Sequence, residues 1–251
     1  MPCWSRCLSS NTLPVIYFSA RRFKDSALLP YLDKRDPWSS HAIIFRWIKE
    51  RPADTTLLDI GTASGTLGRL CQGLGITLNG IEPNPEWAEM ARPYYREIFI
   101  GSLQEAPAAF INDANVIVLA DVLEHLPEPL SALRDLVEKA TPGCTFMLSV
   151  PNVANLSVRL ALLFGHFDYA ERGILDRTHL HFFTSATFFK LLGDAGLEIQ
   201  RRDVTPVPLN LVHPFFEKHA FGRWIHHALS IVTGWFSTLL GYQFVVMAVK
   251  R

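Results

Sequence analysis

The stretch LLDIGTASGTLG, residues 57–68, places Asp59 at the end of an apolar run and then Gly61, Ala63 and Gly65 at alternate positions. Small residues in that pattern let backbone approach a ligand closely, and Gly61 and Gly65 can adopt positive φ. Glu82 ends the next apolar run, in GIEPNPE. A carboxylate there can accept hydrogen bonds from both hydroxyls of a ribose, though it would equally suit the first turn of a helix opening near Pro85. His125 follows a third apolar run, residues 116–120, and the segment DRTHLHFFT supplies Asp176, Arg177, His179 and His181. Imidazoles and a carboxylate at those places suit proton transfer and acceptor recognition. Arg177 suits a phosphate or carboxylate. In strict alternation Arg177, His179, His181 and Phe183 would share one face.

Several function classes lose ground at once. A dinucleotide fingerprint needs a third glycine where Thr66 stands, which disfavours a nicotinamide-dependent oxidoreductase. Lys plus Arg equals Asp plus Glu at 24 each, with no basic stripe, so nucleic acid is a poor partner. Cys3, Cys7, Cys71 and Cys144 form neither a disulfide framework nor a paired zinc pattern, which fits a reducing cytoplasm. No His/Asp spacing demands a metal, and none is expected.

The glycine turn resembles motif I of class I S-adenosylmethionine-dependent methyltransferases. Further stretches carry the resemblance: GSLQEA (101–106), LADVLEHLPEPLSAL (119–133), SVPN (149–152), FDYAERGILDRTHLHFFT (167–184) and WSSH (38–41). Together they look like a bacterial group acting on small molecules or glycans. The resemblance implies S-adenosylmethionine as cofactor, held by Asp59, Gly61, Ala63, Gly65, Glu82, Pro83, Ser102, Leu103, Asp121 and Val122. Family members usually have an acidic residue where Ser102 stands, contacting the adenine amino group; here serine or the backbone near Leu103 must serve. Methyltransferases of nucleic-acid bases usually carry an Asn/Asp-Pro-Pro-aromatic loop where this chain has Asp121-Val122-Leu123-Glu124. The acceptor is therefore expected to be a small molecule, glycan or lipid, methylated at oxygen. His125, His179 and Asp176 are the candidate catalytic residues, and His41, Arg177, His181 and Asn152 the candidate acceptor-binding ones. A scaffold that binds the cofactor without turnover is the alternative.

These residues need a frame. Apolar runs alternating with helical stretches predict a Rossmann-like, doubly wound α/β sheet, mostly parallel with an antiparallel last strand and helices on both faces. Strands are predicted at 55–60, 76–82, 97–100, 116–120, 145–150, 197–204 and 242–249. Helices are expected at 41–50, 66–74, 85–92 and 129–139, and from a cap at Thr184 or Ser185 to Gly196. Residues 1–50 read as a helical preface and 51–251 as the methyltransferase domain, with insertions at 151–183 and 205–240. Both insertions leave carboxyl ends of strands, where an open sheet binds ligands.

The patch at 13–18 is too short and wrongly flanked for a secretory signal. Residues 228–249 lack charge, yet the change of character at Gly241 favours a helix followed by a buried strand over a membrane span. Among the aromatics, Phe164, Phe167, Tyr169, Phe182, Phe183, Phe188 and Phe189 read mostly as core. Phe215, Phe216, Phe221, Trp224, Trp235 and Phe236 fit a lid, a homodimer surface or a peripheral membrane contact through 213–240.

Overall fold

The computed structural model describes residues 36–251. The expectations about Cys3, Cys7 and the 13–18 patch lie outside the described residues. Seven strands, β1 (Thr56–Ile60), β2 (Thr77–Glu82), β3 (Glu97–Ile100), β4 (Val116–Ala120), β5 (Thr145–Pro151), β6 (Leu197–Thr205) and β7 (Gln243–Lys250), form one sheet in the order β3-β2-β1-β4-β5-β7-β6. The first five are mutually parallel, and β7 runs antiparallel between β5 and β6. This is the expected Rossmann-like sheet. Its order reverses between β1 and β4, the switch point beyond whose carboxyl strand ends an open sheet binds ligands.

β4 shows why the central strands read as unbroken apolar runs. Ile117 and Leu119 face one layer, with Leu133 and Leu136 of α5 (Pro129–Lys139) and Phe188 and Leu192 of α7 (Ser185–Asp194). Val116 and Val118 face the other, with α1 (Ser40–Ile48), α2 (Thr66–Cys71) and α3 (Pro85–Ala91). Burial on both faces leaves no position for a polar residue. Ile43, Ile44, Trp47 and Ile48 of α1 are all buried, so the end of the preface forms part of this second layer. The short helix α4 (Ala108–Asn112) adds Ile111 to the first.

Local chemistry sets the helix ends. Ser39 accepts the Ala42 N–H to cap α1, Asn84 accepts Glu86 and Trp87 N–H groups ahead of Pro85, and Thr184 accepts Thr187 N–H. α2 stops at Cys71, short of the expected residue 74, ahead of Gly73 and Gly75 at φ +81° and +76°.

The 151–183 stretch holds α6 (Leu156–Leu163) and then a chain of turns. It is not extended at 176–179, because His179 N–H returns to the Asp176 carbonyl at 3.1 Å. The expected alternation from Arg177 to Phe183 therefore fails. Phe183 and Phe188 are core as expected, but Phe164, Phe167 and Tyr169 are exposed. Phe167, Tyr169 and Phe182 instead pack on one another, with ring centroids 5.6 to 6.2 Å apart.

The 205–240 stretch holds α8 (Leu209–Val212), α9 (Phe215–Lys218), α10 (Ala220–Trp235) and α11 (Ser237–Leu240). Among the described residues no helix is long and apolar enough to cross a membrane, and Phe244 to Ala248 of β7 are buried in the sheet.

Candidate active site

The turn after β1 takes the shape its glycines allow. Gly61 and Gly65 lie at φ +76° and +83°, and Ala63 joins them at +44°. Gly61 N–H reaches back to the Ile81 carbonyl at 2.8 Å, which brings the turn over the end of β2. There Glu82 Oε2 accepts the Ala63 N–H at 2.8 Å and Oε1 accepts the Asn84 N–H at 2.9 Å. The carboxylate is buried, which raises its pKa, while the two backbone donors lower it. Each oxygen keeps a second lone pair for an incoming hydroxyl.

Asp59 sits beneath the turn, fully buried, with Oδ2 accepting the Tyr95 hydroxyl at 2.6 Å. Burial pushes its carboxyl up to about 7, opposed by the Tyr95 hydrogen bond and assisted by the charge of Glu82. Tyr95 in turn accepts the Gly68 N–H at 3.2 Å. Asp59 therefore supports the glycine turn from below.

On the far side of β2, Ser102 begins a 3-10 turn, Leu103–Glu105. Its hydroxyl and its N–H both donate to Glu105, at 2.6 and 2.9 Å. Leu103 is half-buried and Pro83 exposed.

After β4 the chain turns at Asp121, a non-glycine residue at φ +59°. Its Oδ1 accepts from Ser149 Oγ at 2.6 Å and Gln243 Nε2 at 2.7 Å, and its Oδ2 from Ser40 Oγ at 3.3 Å. One carboxylate thus gathers β5, β7 and the start of α1, where His41 Nδ1 lies 3.5 Å from the Ser40 hydroxyl. Val122, next along, closely flanks Gly61: a Cβ on that glycine would lie 3.0 Å from the valine methyl. Asn152 is fully buried and donates to the carbonyls of Thr238 and Gly241, at 3.0 and 2.8 Å. Its amide anchors the end of the second insertion instead of facing an acceptor.

The histidines come together. His125 ends a 3-10 turn, Leu123–His125, and its ring lies 4.8 Å from that of His179, edge to face. His125 Nδ1 is 3.2 Å from the Thr178 carbonyl and His179 Nδ1 is 3.1 Å from the Ile174 carbonyl. A carbonyl only accepts, so each ring carries a proton on Nδ1, which leaves Nε2 as the atom available to other partners. Burial holds the His179 pKa below its ordinary value, so it stays neutral. Asp176 acts one step away, with Oδ1 accepting the Thr178 N–H and hydroxyl at 2.8 and 2.7 Å. The backbone N–H groups of Leu180 and His181 bind the Glu124 carbonyl, and His181 Nε2 donates to the Pro127 carbonyl at 3.0 Å. Arg177 pairs with Glu171 at 2.5 Å, both exposed. The structure thus joins His125 with His179 and ties Asp176 to them through Thr178, while His181 serves to dock the loop.

A sequence profile of the methyltransferase domain matches residues 31–201. The chain belongs to the methyltransferase domain family. This methyltransferase is 26% identical over 179 residues to the ubiquinone biosynthesis O-methyltransferase of Thiobacillus denitrificans, covering 67% of the chain and 76% of that protein. To the protein of the same name from Xanthomonas axonopodis pv. citri it is 26% identical over 157 residues, covering 59% of the chain and 65% of the relative. Over that second relative the chain spans just under two-thirds of the length. In fold it is similar to the magnesium protoporphyrin IX methyltransferase of Synechocystis PCC 6803 solved with bound SAH, at TM-score 0.56 and 15% identity, covering 84% of this chain and 82% of that one. A methyltransferase from Archaeoglobus fulgidus gives 0.53 and 18%, covering 84% and 92%. S-adenosylmethionine is the cofactor that the sequence resemblance implies, and the Synechocystis protein of this fold was solved with bound SAH.

The donor set fits that cofactor. The buried Glu82 carboxylate is held by two backbone N–H groups, so its remaining lone pairs have a fixed direction for ribose hydroxyls. The positive-φ turn keeps side chains off the approach beside it. Sequence reasoning missed Tyr95 beneath the turn. A faint signal existed in Gly68 inside α2, where a Cβ would lie 2.5 Å from the tyrosine ring. It also missed Ser40, Ser149 and Gln243 on Asp121, which no spacing in the chain connects.

Proposed function

We propose that this methyltransferase transfers a methyl group to a hydroxyl oxygen of a small-molecule acceptor. The observation that carries the reading is the His125–His179 pair, two imidazoles whose Nδ1–H groups are fixed on backbone carbonyls. Bound S-adenosylmethionine supplies an activated methyl group on a sulfonium, so the protein need only bind and orient the acceptor and take its proton. Glu82 holds the ribose, with Asp59 fixing the turn of Gly61, Ala63 and Gly65 beside it. Pro83, Leu103 and Val122 line the approach to that turn, and Asp121 fixes the wall that carries Val122. Glu105, whose carboxylate lies on Ser102, stands in for the acidic residue the family usually has there.

His125 and His179 flank the acceptor hydroxyl, and one of them accepts its single proton at Nε2 as the oxygen takes the methyl group. His41 contributes from the start of α1, and Asp176 positions Thr178 under His125. The names of the relatives, O-methyltransferases, support oxygen over nitrogen. The test is a panel of phenols, sugars and lipid alcohols incubated with isotopically labelled S-adenosylmethionine, read by mass spectrometry. The reading expects one class to gain a single CH₂ on oxygen, with His179→Gln lowering kcat while cofactor binding persists. Unchanged kcat in that variant would remove His179 from the chemistry. Cofactor binding without turnover on every class would favour a binding scaffold.

A further inference from the structure

No metal was expected from the sequence, yet the fold gathers a ligand set for one. Glu124, His125 and His179 each offer one ligand atom, and the three atoms lie within 4.8 Å of one another. Two come from the turn after β4 and the third from a loop more than fifty residues later, which the Leu180 and His181 N–H groups dock on the Glu124 carbonyl. We propose that these three side chains bind a divalent first-row transition-metal ion of the zinc class.

Three features of the geometry point this way. The Nδ1–H groups of both imidazoles are fixed on backbone carbonyls, at 3.2 and 3.1 Å, the outer-shell arrangement that orients a metal-binding histidine and directs Nε2 at the ion. The rings meet edge to face without stacking, and one nitrogen of each lies within 4.8 Å of the other. Glu124 is 1% exposed, and a carboxylate at that depth balances a cation. An ion bonded at about 2.1 Å holds its ligand atoms roughly 3 to 4 Å apart, so closing the set takes a shift of about 1 Å. Two imidazoles and one carboxylate favour a zinc-class ion over magnesium, which prefers oxygen ligands. The set also leaves a coordination position open, as catalytic zinc sites do.

The use of the ion rests on the methyl-transfer reading; its binding does not. An acceptor hydroxyl entering the open position would lose its proton to water more readily, a Lewis-acid role that replaces direct proton uptake by the imidazoles.

The test uses the full chain, stripped with chelator and titrated with Co²⁺ by calorimetry and visible absorption. S-adenosylmethionine is titrated separately in the absence of metal. The proposal expects one Co²⁺ per chain with the d–d spectrum of a mixed nitrogen and oxygen site. Glu124→Gln and His179→Gln should each weaken it about 100-fold, the upper end of what loss of a supporting outer-shell group costs. His179→Gln, on a loop, guards against misfolding of the more buried variant, and retained cofactor binding confirms its fold. Equal Co²⁺ affinity in wild type and variants, or no Co²⁺ binding beside normal cofactor binding, overturns the metal site. Co²⁺ binding without cofactor binding would uphold the site and sink the methyl-transfer reading.

Discussion

The Tyr95 hydroxyl lies 2.6 Å from Asp59 Oδ2 while accepting the Gly68 N–H, so one phenol joins the end of β1 to the helix that follows the glycine turn. A buried carboxylate and a backbone donor both depend on it. Tyr95→Phe should destabilise the fold by about 1–3 kcal/mol, the cost of leaving such groups unsatisfied. Urea unfolding measures it; a change near zero would mean that the phenol is dispensable.

Asp59 should make stability depend on pH. Its carboxyl is raised by burial from 3.8 to about 7, so the folded chain binds this proton more tightly than the unfolded chain does. The stability it contributes is fully present below the unfolded value, 3.8, and is lost as pH rises through about 7. Asp59→Asn should flatten that decline, seen as melting temperatures across the interval. A variant profile parallel to wild type would refute the assignment.

Two glycines separate backbone strain from crowding. Gly65 and Gly73 share nearly the same φ, +83° and +81°, but a Cβ on Gly65 would lie 2.9 Å from the Ala91 Cα and from the Tyr94 ring. A Cβ on Gly73 meets nothing within 4 Å. Gly73→Ala should cost about 1–2 kcal/mol, the left-handed penalty. Gly65→Ala should cost clearly more and also weaken cofactor binding. Equal losses in urea unfolding would show that packing behind the turn does not matter.

Asn152 provides a control for the acceptor assignments. Its amide holds the Thr238 and Gly241 carbonyls from a fully buried position. Asn152→Ala should lower stability by about 1–3 kcal/mol, chiefly through the orphaned Thr238 carbonyl, since Asn155 Nδ2 still donates to the Gly241 carbonyl at 3.0 Å. The acceptor KM of the folded fraction should stay unchanged; a raised KM at full stability would return Asn152 to the acceptor pocket.

Much of the frame was legible because it is written locally. β4 is apolar without interruption since both its faces are covered, and Gly61 and Gly65 advertise a turn that few other residues tolerate. Glu82 is legible as the carboxylate that closes β2, and the structure sets it against the Ala63 N–H of that turn. What escaped depends on contacts between distant segments. Asp121 adopts φ +59° because Ser40, Ser149 and Gln243 hold it there, and those residues span two hundred positions. The 176–179 stretch reads as alternating, yet Asp176 accepts from Thr178 and curls it into a turn. That curl brings His179 onto His125 and creates the three-ligand cluster, which no spacing in the sequence announces.

The central claim is that Glu82 grips the ribose of S-adenosylmethionine. Calorimetric titration of the cofactor into wild type and Glu82→Gln tests it most directly, with NAD as a parallel ligand. Loss of charged hydrogen bonds, about 1.5–3 kcal/mol, predicts affinity reduced roughly 10- to 100-fold in the variant and no heat with NAD. Equal affinity in both proteins, or binding of NAD in place of S-adenosylmethionine, would contradict it.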